Sequence, residues 1–230
     1  MKLVIAEKPS VAISIAKVIG ANKKKDGYYE GNGYKVSWCV GHLIQMANPD
    51  SYDEKYAKWN MADLPIIPRE YKYEVAKATK KQFNILKKLM NDKEVDTVIN
   101  ACDAGREGEA IFRLVYNQAN CKKKMKRLWI SSMEDSAIKE GFDNLKDGSS
   151  YDNLFESAQA RAIADWIVGM NLSRLYSCLY KQSYSVGRVQ TPTLAMIVNR
   201  DDEIANFKKE KYYTVELSLN GFTLSTDRID

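Results

Sequence analysis

The sequence predicts an α/β protein: a Rossmann-like domain followed by a mainly helical domain and the start of a β-rich segment. Two short apolar runs without helical periodicity, Lys2–Ala6 and Val95–Cys102, have the composition of buried strands. Each is followed directly by a segment with helical spacing, Val11–Ile19 in one case and Glu107–Tyr116 in the other. Strands that alternate with helices predict a parallel sheet covered by helices.

The remaining segments up to residue 148 continue this alternation. Asn-Gly between two alternating segments is a strong hairpin signal, and a stretch with three prolines indicates a long loop. The predicted elements are a hairpin around Asn32-Gly33, a loop over 48–70, a helix over 76–91, a strand over 126–130 and a helix over 136–145 with its cap in 131–135.

The character of the chain changes after the polar stretch 147–150, which has the composition of a linker. Residues 154–180 and 186–204 predict two helices, and 212–219 alternates like a strand before the turn Asn220-Gly221. The strand after that turn has barely begun when the sequence ends, so we expect a fragment of a longer protein. The predicted domains are 1–148, 149–210 and a truncated β-rich domain over 211–230.

Composition narrows the functional class. With 230 residues and 45% hydrophobic content, the chain can bury a core. No apolar run predicts a membrane span, and the amino terminus lacks a signal-peptide pattern. The four scattered cysteines predict reduced thiols in a cytoplasmic protein, and a zinc site is not expected because His42, to which we assign no role, is the only histidine. The net charge of +5 is compatible with binding to nucleic acid.

Acidic side chains follow both predicted strands. If these strands are parallel neighbours, Glu7, Lys8, Asp103 and Glu107, here called the acidic rim, meet at one edge of the sheet. Asp103 and Glu107 are four residues apart, so they can share a helix face and bind one hard cation. Carboxylates, a lysine and a divalent metal suit charge stabilisation and proton transfer at phosphorus. The alternative is a set of acids that complements a helix dipole.

A second polar group lies in the helical part. Arg161 and Asp165 are four apart on one predicted helix, while Arg188 and Gln190 lie in the polar turn before the next. Backbone N–H groups, hydroxyls and an arginine at a helix start suit phosphate binding. An intrahelical ion pair and an extended N-cap are the structural alternatives.

Six motifs together resemble the type IA DNA topoisomerases and, within that family, the bacterial topoisomerase III branch. They occur in the family's order and cover nearly the whole chain. The matching segments are Val4–Ser10, Val40–Leu43, Asp103–Glu109, Arg127–Ser132, Ala160–Trp166 and Gly187–Leu194.

The resemblance implies that residues 1–148 form a TOPRIM domain, followed by a helical domain that leads single-stranded DNA to the active site. It implies that Glu7 is an active-site acid and that Lys8 acts near the scissile phosphate. Asp103 and Glu107 match acids of a magnesium site, which we expect Glu7 to share. The implied cofactor is Mg²⁺.

The resemblance also implies a partner and a reaction. The positions that match the family's nucleotide-binding groove are Arg161, Asp165, Arg188 and Gln190. The implied reaction is ATP-independent cleavage and rejoining of one DNA strand through a 5′-phosphotyrosine, for relaxation or decatenation. We expect a monomer that binds DNA, preferably single-stranded, and no membrane.

The chain departs from the family pattern at two points. The TOPRIM pattern is commonly Asp-x-Asp-x-Glu, and Gly105 takes the second acidic position here. Glu109 follows on the same helix, but a helical turn is expected to point it elsewhere. None of the 14 tyrosines has the family's catalytic context, so we expect this chain to bind DNA without cleaving it.

Other readings share parts of this pattern. Lys24–Gly27 fits the short K-x-D-G motif of nucleotidyl-transferring ligases, but nothing else supports that class. A TOPRIM-type primase or nuclease would share the acidic rim without the Arg161–Leu194 block. A non-catalytic module that binds single-stranded DNA is the third alternative.

Overall fold

The computed structural model, which describes residues 1–229, divides into two units, Met1–Val186 and Gly187–Asp230. The strands of the first unit are β1 (Lys2–Ala6), β2 (Lys23–Lys25), β3 (Tyr28–Gly31), β4 (Tyr34–Trp38), β5 (Ile44–Met46), β6 (Tyr73–Val75), β7 (Thr97–Ala101), β8 (Lys124–Arg127) and β9 (Lys146–Asp147). Its helices are α1 (Pro9–Ile19), α2 (Lys80–Met90), α3 (Arg106–Gln118), α4 (Asp135–Asp143) and α5 (Asp152–Tyr180).

Seven of these strands form one sheet in the order β2-β3-β4-β1-β7-β8-β9. The four central strands, β4, β1, β7 and β8, are parallel, and the strands at both edges are antiparallel to their neighbours. β5 and β6 pair in a separate antiparallel sheet. The predicted α/β class is confirmed, and β1 and β7 are direct parallel neighbours, as the acidic rim requires.

Side chains on β1 alternate between two cores, one on each face of the sheet. Leu3 and Ile5 pack with apolar residues of α2 and α3, whereas Val4 and Ala6 pack with α1 and α4. All four side chains are fully buried. This two-sided burial explains the continuous apolar run of β1, because a parallel strand covered on both faces has no polar side.

Several elements begin or end at residues other than those predicted. Pro9 occupies the first turn of α1 and Lys8 is the N-cap residue, so Ser10 lies inside the helix. α4 begins one residue earlier than predicted, and its N-cap residue, Glu134, lies in the predicted cap segment 131–135 but makes no side-chain cap hydrogen bond. β8 begins two residues earlier than the predicted strand over 126–130, because its pairing with β7 begins at Lys124.

The predicted loop over 48–70 is tied to α5 rather than extended into solvent. The side-chain amide of Asn171 donates to the carbonyl of Ile66 at 3.0 Å and accepts from its N–H at 2.6 Å. Arg174 is buried and donates to the carbonyl of Tyr56 at 2.8 Å. Asn171 and Arg174 therefore form hydrogen bonds with backbone groups of the loop that would otherwise be buried without a partner.

The second unit contains α6 (Gln190–Ala205) and the antiparallel pair β10 (Glu216–Leu219) and β11 (Phe222–Ser225). The predicted hairpin is present, with its strands joined at Asn220-Gly221. α6 begins four residues later than predicted. No helix in residues 1–229 is long and apolar enough to cross a membrane.

Candidate functional site

The acidic rim forms where β1 and β7 end side by side. Ala6 and Ala101 are partners in the parallel ladder, so the residues that follow them lie level with each other. The backbone N–H of Asp103 donates to Oε2 of Glu7 at 3.3 Å. Lys8 Nζ lies 3.9 Å from Oδ2 of Asp103. Three of the predicted site residues are therefore in contact at the carboxyl edge of the sheet, where α/β proteins bind ligands.

Glu107 lies in the first turn of α3, as predicted, but its contact partner was not predicted. His42 Nε2 lies 2.5 Å from Oε1 of Glu107, and both side chains are about half exposed. His42 comes from the segment after β4, which is the neighbour of β1 on the side away from β7. The one sequence signal for this contact was that His42 follows a predicted strand. A single histidine without other candidate ligands nearby did not indicate a functional role.

The chemistry of the acidic rim fits Mg²⁺, although no closed cage is formed. Within residues 1–229, no three His, Cys, Asp or Glu side chains are grouped closely enough to hold a metal by themselves. Glu7, Asp103 and Glu107 offer hard carboxylate oxygens that remain accessible to solvent. Mg²⁺ is commonly held by one or two carboxylates together with water and substrate phosphates, so an open site of this kind suits it.

Two glycines shape the turn between Asp103 and α3. Gly105 is the N-cap residue with an extended backbone, and a Cβ atom added there would meet nothing within 4 Å. A Cβ atom at Gly108 would lie only 2.2 Å from the carbonyl oxygen of Asp103. Gly108 therefore permits close packing of α3 on the Asp103 backbone, while the absence of a side chain at Gly105 has no steric cause.

Glu109 is the third acid of this segment and points into the protein. Its side chain is 1% exposed, and Oε2 accepts from the amide of Asn100 at 2.9 Å. Oε1 accepts from Nε of Arg113 at 2.8 Å. Nε of Arg127 lies 3.2 Å from Oε2 and forms an ion pair with it, but no hydrogen bond. The carboxylate is fully engaged, so Glu109 does not replace the missing acid at Gly105.

Arg127 supports the backbone of the acidic rim. Its Nη1 donates to the carbonyl of Cys102 at 2.6 Å, and its Nη2 donates to the carbonyl of Asp103 at 2.7 Å. Burial lowers the pKa of Arg127, while the neighbouring Glu109 carboxylate acts in the opposite direction. An arginine stays protonated in proteins, so these remain charge-assisted hydrogen bonds. The sequence offered no sign of this role, since Arg127 terminates a strand in a cluster of basic residues.

The predicted groove residues are distributed over both units. On α5, Nε of Arg161 lies 3.8 Å from Oδ2 of Asp165, and both side chains are about 40% exposed. Arg188 and Gln190 lie in the second unit, at the start of α6. There the hydroxyl of Thr191 accepts a hydrogen bond from the N–H of Gly187 at 3.0 Å. Part of the polar turn is therefore held by an internal hydrogen bond. The structure does not test the prediction that these four residues line a nucleotide-binding groove.

Comparison with known proteins identifies two families along the chain. A family model for the Toprim domain matches residues 2–133, and a model described as DNA topoisomerase matches residues 149–228. DNA topoisomerase 3 of Bacillus thuringiensis (strain Al Hakam) is 52% identical over 214 residues, which are 93% of this chain and 29% of that relative. DNA topoisomerase 3 of Staphylococcus epidermidis is 48% identical over 223 residues, which are 97% of this chain and 31% of that relative.

A solved structure gives the same result for the fold. Full-length topoisomerase I from Thermotoga maritima superposes with a TM-score of 0.65 at 27% identity, over 98% of this chain and 34% of that one. This chain thus spans about a third of the length of the proteins it matches.

Proposed function

Because this chain belongs to the type IA DNA topoisomerase family and contains a Toprim domain, we propose that it is the N-terminal part of an enzyme that cleaves and rejoins one DNA strand without ATP. The proposed reaction proceeds through a 5′-phosphotyrosine, depends on Mg²⁺ and serves relaxation or decatenation. The observation that carries the proposal is the convergence of Glu7, Lys8 and Asp103 at one sheet edge.

Each residue of the acidic rim has a proposed role. Lys8 presents an exposed ammonium group beside Asp103 and would donate to oxygens of the scissile phosphate. Glu7 would accept or return a proton at the reacting oxygen, for which an accessible carboxylate at the same edge is suited. Glu7, Asp103 and Glu107 would hold Mg²⁺. When bound, the metal would supply positive charge against the negative charge that develops at phosphorus.

The groove residues would position the strand. Arg161, Arg188 and Gln190 would contact phosphates and bases, while Asp165 would orient Arg161, as its 3.8 Å ion pair supports. Contacts of this kind favour single-stranded DNA when bases are accessible for stacking and hydrogen bonding. We propose that the protein acts as a monomer in the cytoplasm on DNA, with no membrane partner.

For these 230 residues alone we propose binding without cleavage, because none of the 14 tyrosines has the catalytic sequence context. The test uses 3′-labelled single-stranded and duplex oligonucleotides of one sequence. We expect tighter binding to the single strand, weakening as salt rises from about 50 to 200 mM. We expect no labelled band that survives denaturing electrophoresis with the protein. Equal affinity for duplex, or binding insensitive to salt, would contradict the groove, and a covalent band would contradict inactivity.

The role of Arg161 can be tested against a matched control. Arg161→Ala should weaken binding to the single strand by about tenfold, because a charge-assisted phosphate contact is lost. Arg200 also lies on a helix and pairs with an acid, Glu203, at 2.9 Å. Arg200→Ala removes the same charge outside the proposed groove, so an equal loss in both variants would argue against a specific role for Arg161.

A further inference from the structure

The side chain of Glu109 joins two parts of the first unit that the sequence keeps apart. Its carboxylate contacts two guanidinium groups, Arg113 at 2.8 Å and Arg127 at 3.2 Å, in a region almost without solvent access. A buried carboxylate of this kind is stable only while its countercharges stay in place. The two arginines differ in what they hold with their remaining N–H groups.

Arg127 reaches toward the acidic rim. Besides its contact with Glu109, it donates to the carbonyls of Cys102 and Asp103 at 2.6 and 2.7 Å. Asn100, which donates to Glu109, also accepts from the N–H of Cys102 at 3.0 Å. The backbone that presents Asp103 is therefore fixed from inside by groups that Glu109 organises.

Arg113 reaches in the opposite direction, toward the start of α5. Its Nη2 donates to the carbonyl of Gly148 at 2.7 Å and to Oδ1 of Asp152 at 2.7 Å. Gly148 is buried, and Asp152 is the first residue of α5. α5 is the helix that carries Arg161 and Asp165, the two groove residues of the first unit.

We propose that Glu109 is a positioning residue that holds the Asp103 backbone and the start of α5 in one fixed arrangement. The inference rests on the proposed function in so far as it concerns Mg²⁺ and DNA. In Glu109→Gln, an amide N–H₂ group would face at least one guanidinium, so a donor would oppose a donor and the two arginines would lose the carboxylate that they share. Both attached segments would then lose their fixed placement.

The first measurement is amide hydrogen exchange, which needs neither metal nor DNA. Glu109→Gln should raise exchange in residues 101–105 and, equally, in 148–153, because both segments depend on the same carboxylate. Arg113→Lys should raise exchange more over 148–153 than over 101–105, because a lysine cannot bridge the three acceptors of Arg113 in one plane. Faster exchange in one segment only in Glu109→Gln, or in neither, would overturn the proposal.

The second measurement is Mg²⁺ affinity by calorimetry. Glu109→Gln should weaken Mg²⁺ binding by about tenfold, the usual effect of losing support behind metal ligands. Asp92→Asn is the matched control: it weakens the ion pair of the buried Lys35, 2.6 Å away, near the amino ends of the parallel strands and far from the acidic rim. The control should leave Mg²⁺ affinity within about twofold of the native value.

The outcomes separate this proposal from the proposed function. Equal losses of Mg²⁺ affinity in Glu109→Gln and Asp92→Asn, at matched stability, would mean a general effect and would overturn the positioning role. Native Mg²⁺ affinity in Glu109→Gln would overturn it as well. If the native chain showed no saturable Mg²⁺ binding, the metal site would be wrong, while the exchange of the two segments would still decide the link made by Glu109. Should Glu109→Gln fail to fold, Arg113→Lys tests the link between Glu109 and the start of α5: faster exchange over 148–153 supports it, and native exchange there would overturn it.

Discussion

The backbone N–H of Asp103 donates to the carboxylate of Glu7, across the ends of two neighbouring parallel strands. Glu7 and Asp103 are 96 positions apart in the chain, yet the register of β1 with β7 brings them within 3.3 Å. The contact turns one carboxylate oxygen of Glu7 toward the turn that carries Asp103. It thereby brings the Glu7 carboxylate against the turn that carries Asp103, the second proposed metal ligand, while Lys8 lies 3.9 Å from the carboxylate of Asp103.

Restoring an acid at Gly105 should strengthen metal binding. A Cβ atom at this position meets nothing within 4 Å and the backbone is extended, so Gly105→Asp should fold normally. Mg²⁺ affinity should rise by about tenfold, because affinity for hard cations grows with the number of charged ligands. Calorimetric titration measures this, with Gly105→Ala as the control for loss of glycine. If both variants bind Mg²⁺ like the native chain, position 105 does not face the metal.

Adding one methyl group at Gly108 should destabilise the protein. The new Cβ atom would lie 2.2 Å from the carbonyl oxygen of Asp103, so α3 or the turn before it has to move. Gly108→Ala should lower the free energy of unfolding by about 1–3 kcal/mol, as overpacking usually does. Urea denaturation measures the change. Gly105→Ala is again the control, because a Cβ atom there meets nothing within 4 Å. An equal loss in both variants would contradict a specific role for the contact with Asp103, since alanine by itself favours a helix more than glycine does.

Removing the ammonium group of Lys8 should reduce the salt dependence of binding to single-stranded DNA. If Lys8 contacts one phosphate, Lys8→Gln should lower the slope of log K against log salt by about 0.7. Fluorescence anisotropy at several salt concentrations gives the slope. Lys81→Gln is a suitable control, because Lys81 is 80% exposed and pairs only loosely, at 3.5 Å, with Asp26. An unchanged slope in Lys8→Gln would remove Lys8 from the DNA contact surface.

Truncating Asn171 should release the loop over 48–70 from α5. Asn171 makes two hydrogen bonds to the backbone of Ile66, and Asn171→Ala leaves both backbone groups without a partner. We expect faster proteolysis within the loop and a loss of about 1–3 kcal/mol in stability. Asn144→Ala also removes an amide, one that bonds only within the end of its own helix. Similar cleavage of the loop in both variants would contradict the view that Asn171 holds the loop against α5.

Asp147 should contribute to stability above about pH 4 and lose that contribution in acid. Hydrogen bonds from Ser149 and from Lys126 lower the pKa of Asp147 to about 2. A carboxyl group whose pKa is lower in the folded state stabilises the fold when ionised, and this stabilisation declines as pH falls toward the folded-state pKa. The urea midpoint of Asp147→Asn should therefore change less between about pH 4 and 2. Identical curves for Asp147→Asn and the native protein would contradict the assignment.

The sequence was sufficient for features that depend on local patterns. Continuous apolar runs identified β1 and β7, the Asn-Gly pair identified the hairpin of β3 and β4, and acids after the strands identified the acidic rim. These signals are local, because a strand buried on both faces needs a continuous apolar run and a tight hairpin turn needs residues such as Asn-Gly. The fold class followed from these patterns and the family from the resemblance of six motifs, and both were confirmed.

Contacts between distant segments could not be predicted in this way. His42 meets Glu107 because β4 lies next to β1, a matter of strand order that no local pattern encodes. The expectation that a helical turn points Glu109 away from the metal site was right, but its contact with Arg127, at 3.2 Å on another element, could not be read from any local pattern. Arg174 is buried and bonded to the carbonyl of Tyr56, a contact with the loop over 48–70 that no local pattern indicates.

In the proposed function, a divalent metal at the acidic rim lies next to one phosphate of a bound single strand. Mn²⁺ can replace Mg²⁺ as a paramagnetic probe, and phosphorus NMR of a bound oligonucleotide reports its distance from each phosphate. We expect Mn²⁺ to broaden one or two phosphate resonances selectively in the native protein, and Asp103→Asn combined with Glu107→Gln to abolish the selectivity. Uniform broadening of all phosphates, or the same selective broadening in the double variant, would contradict it.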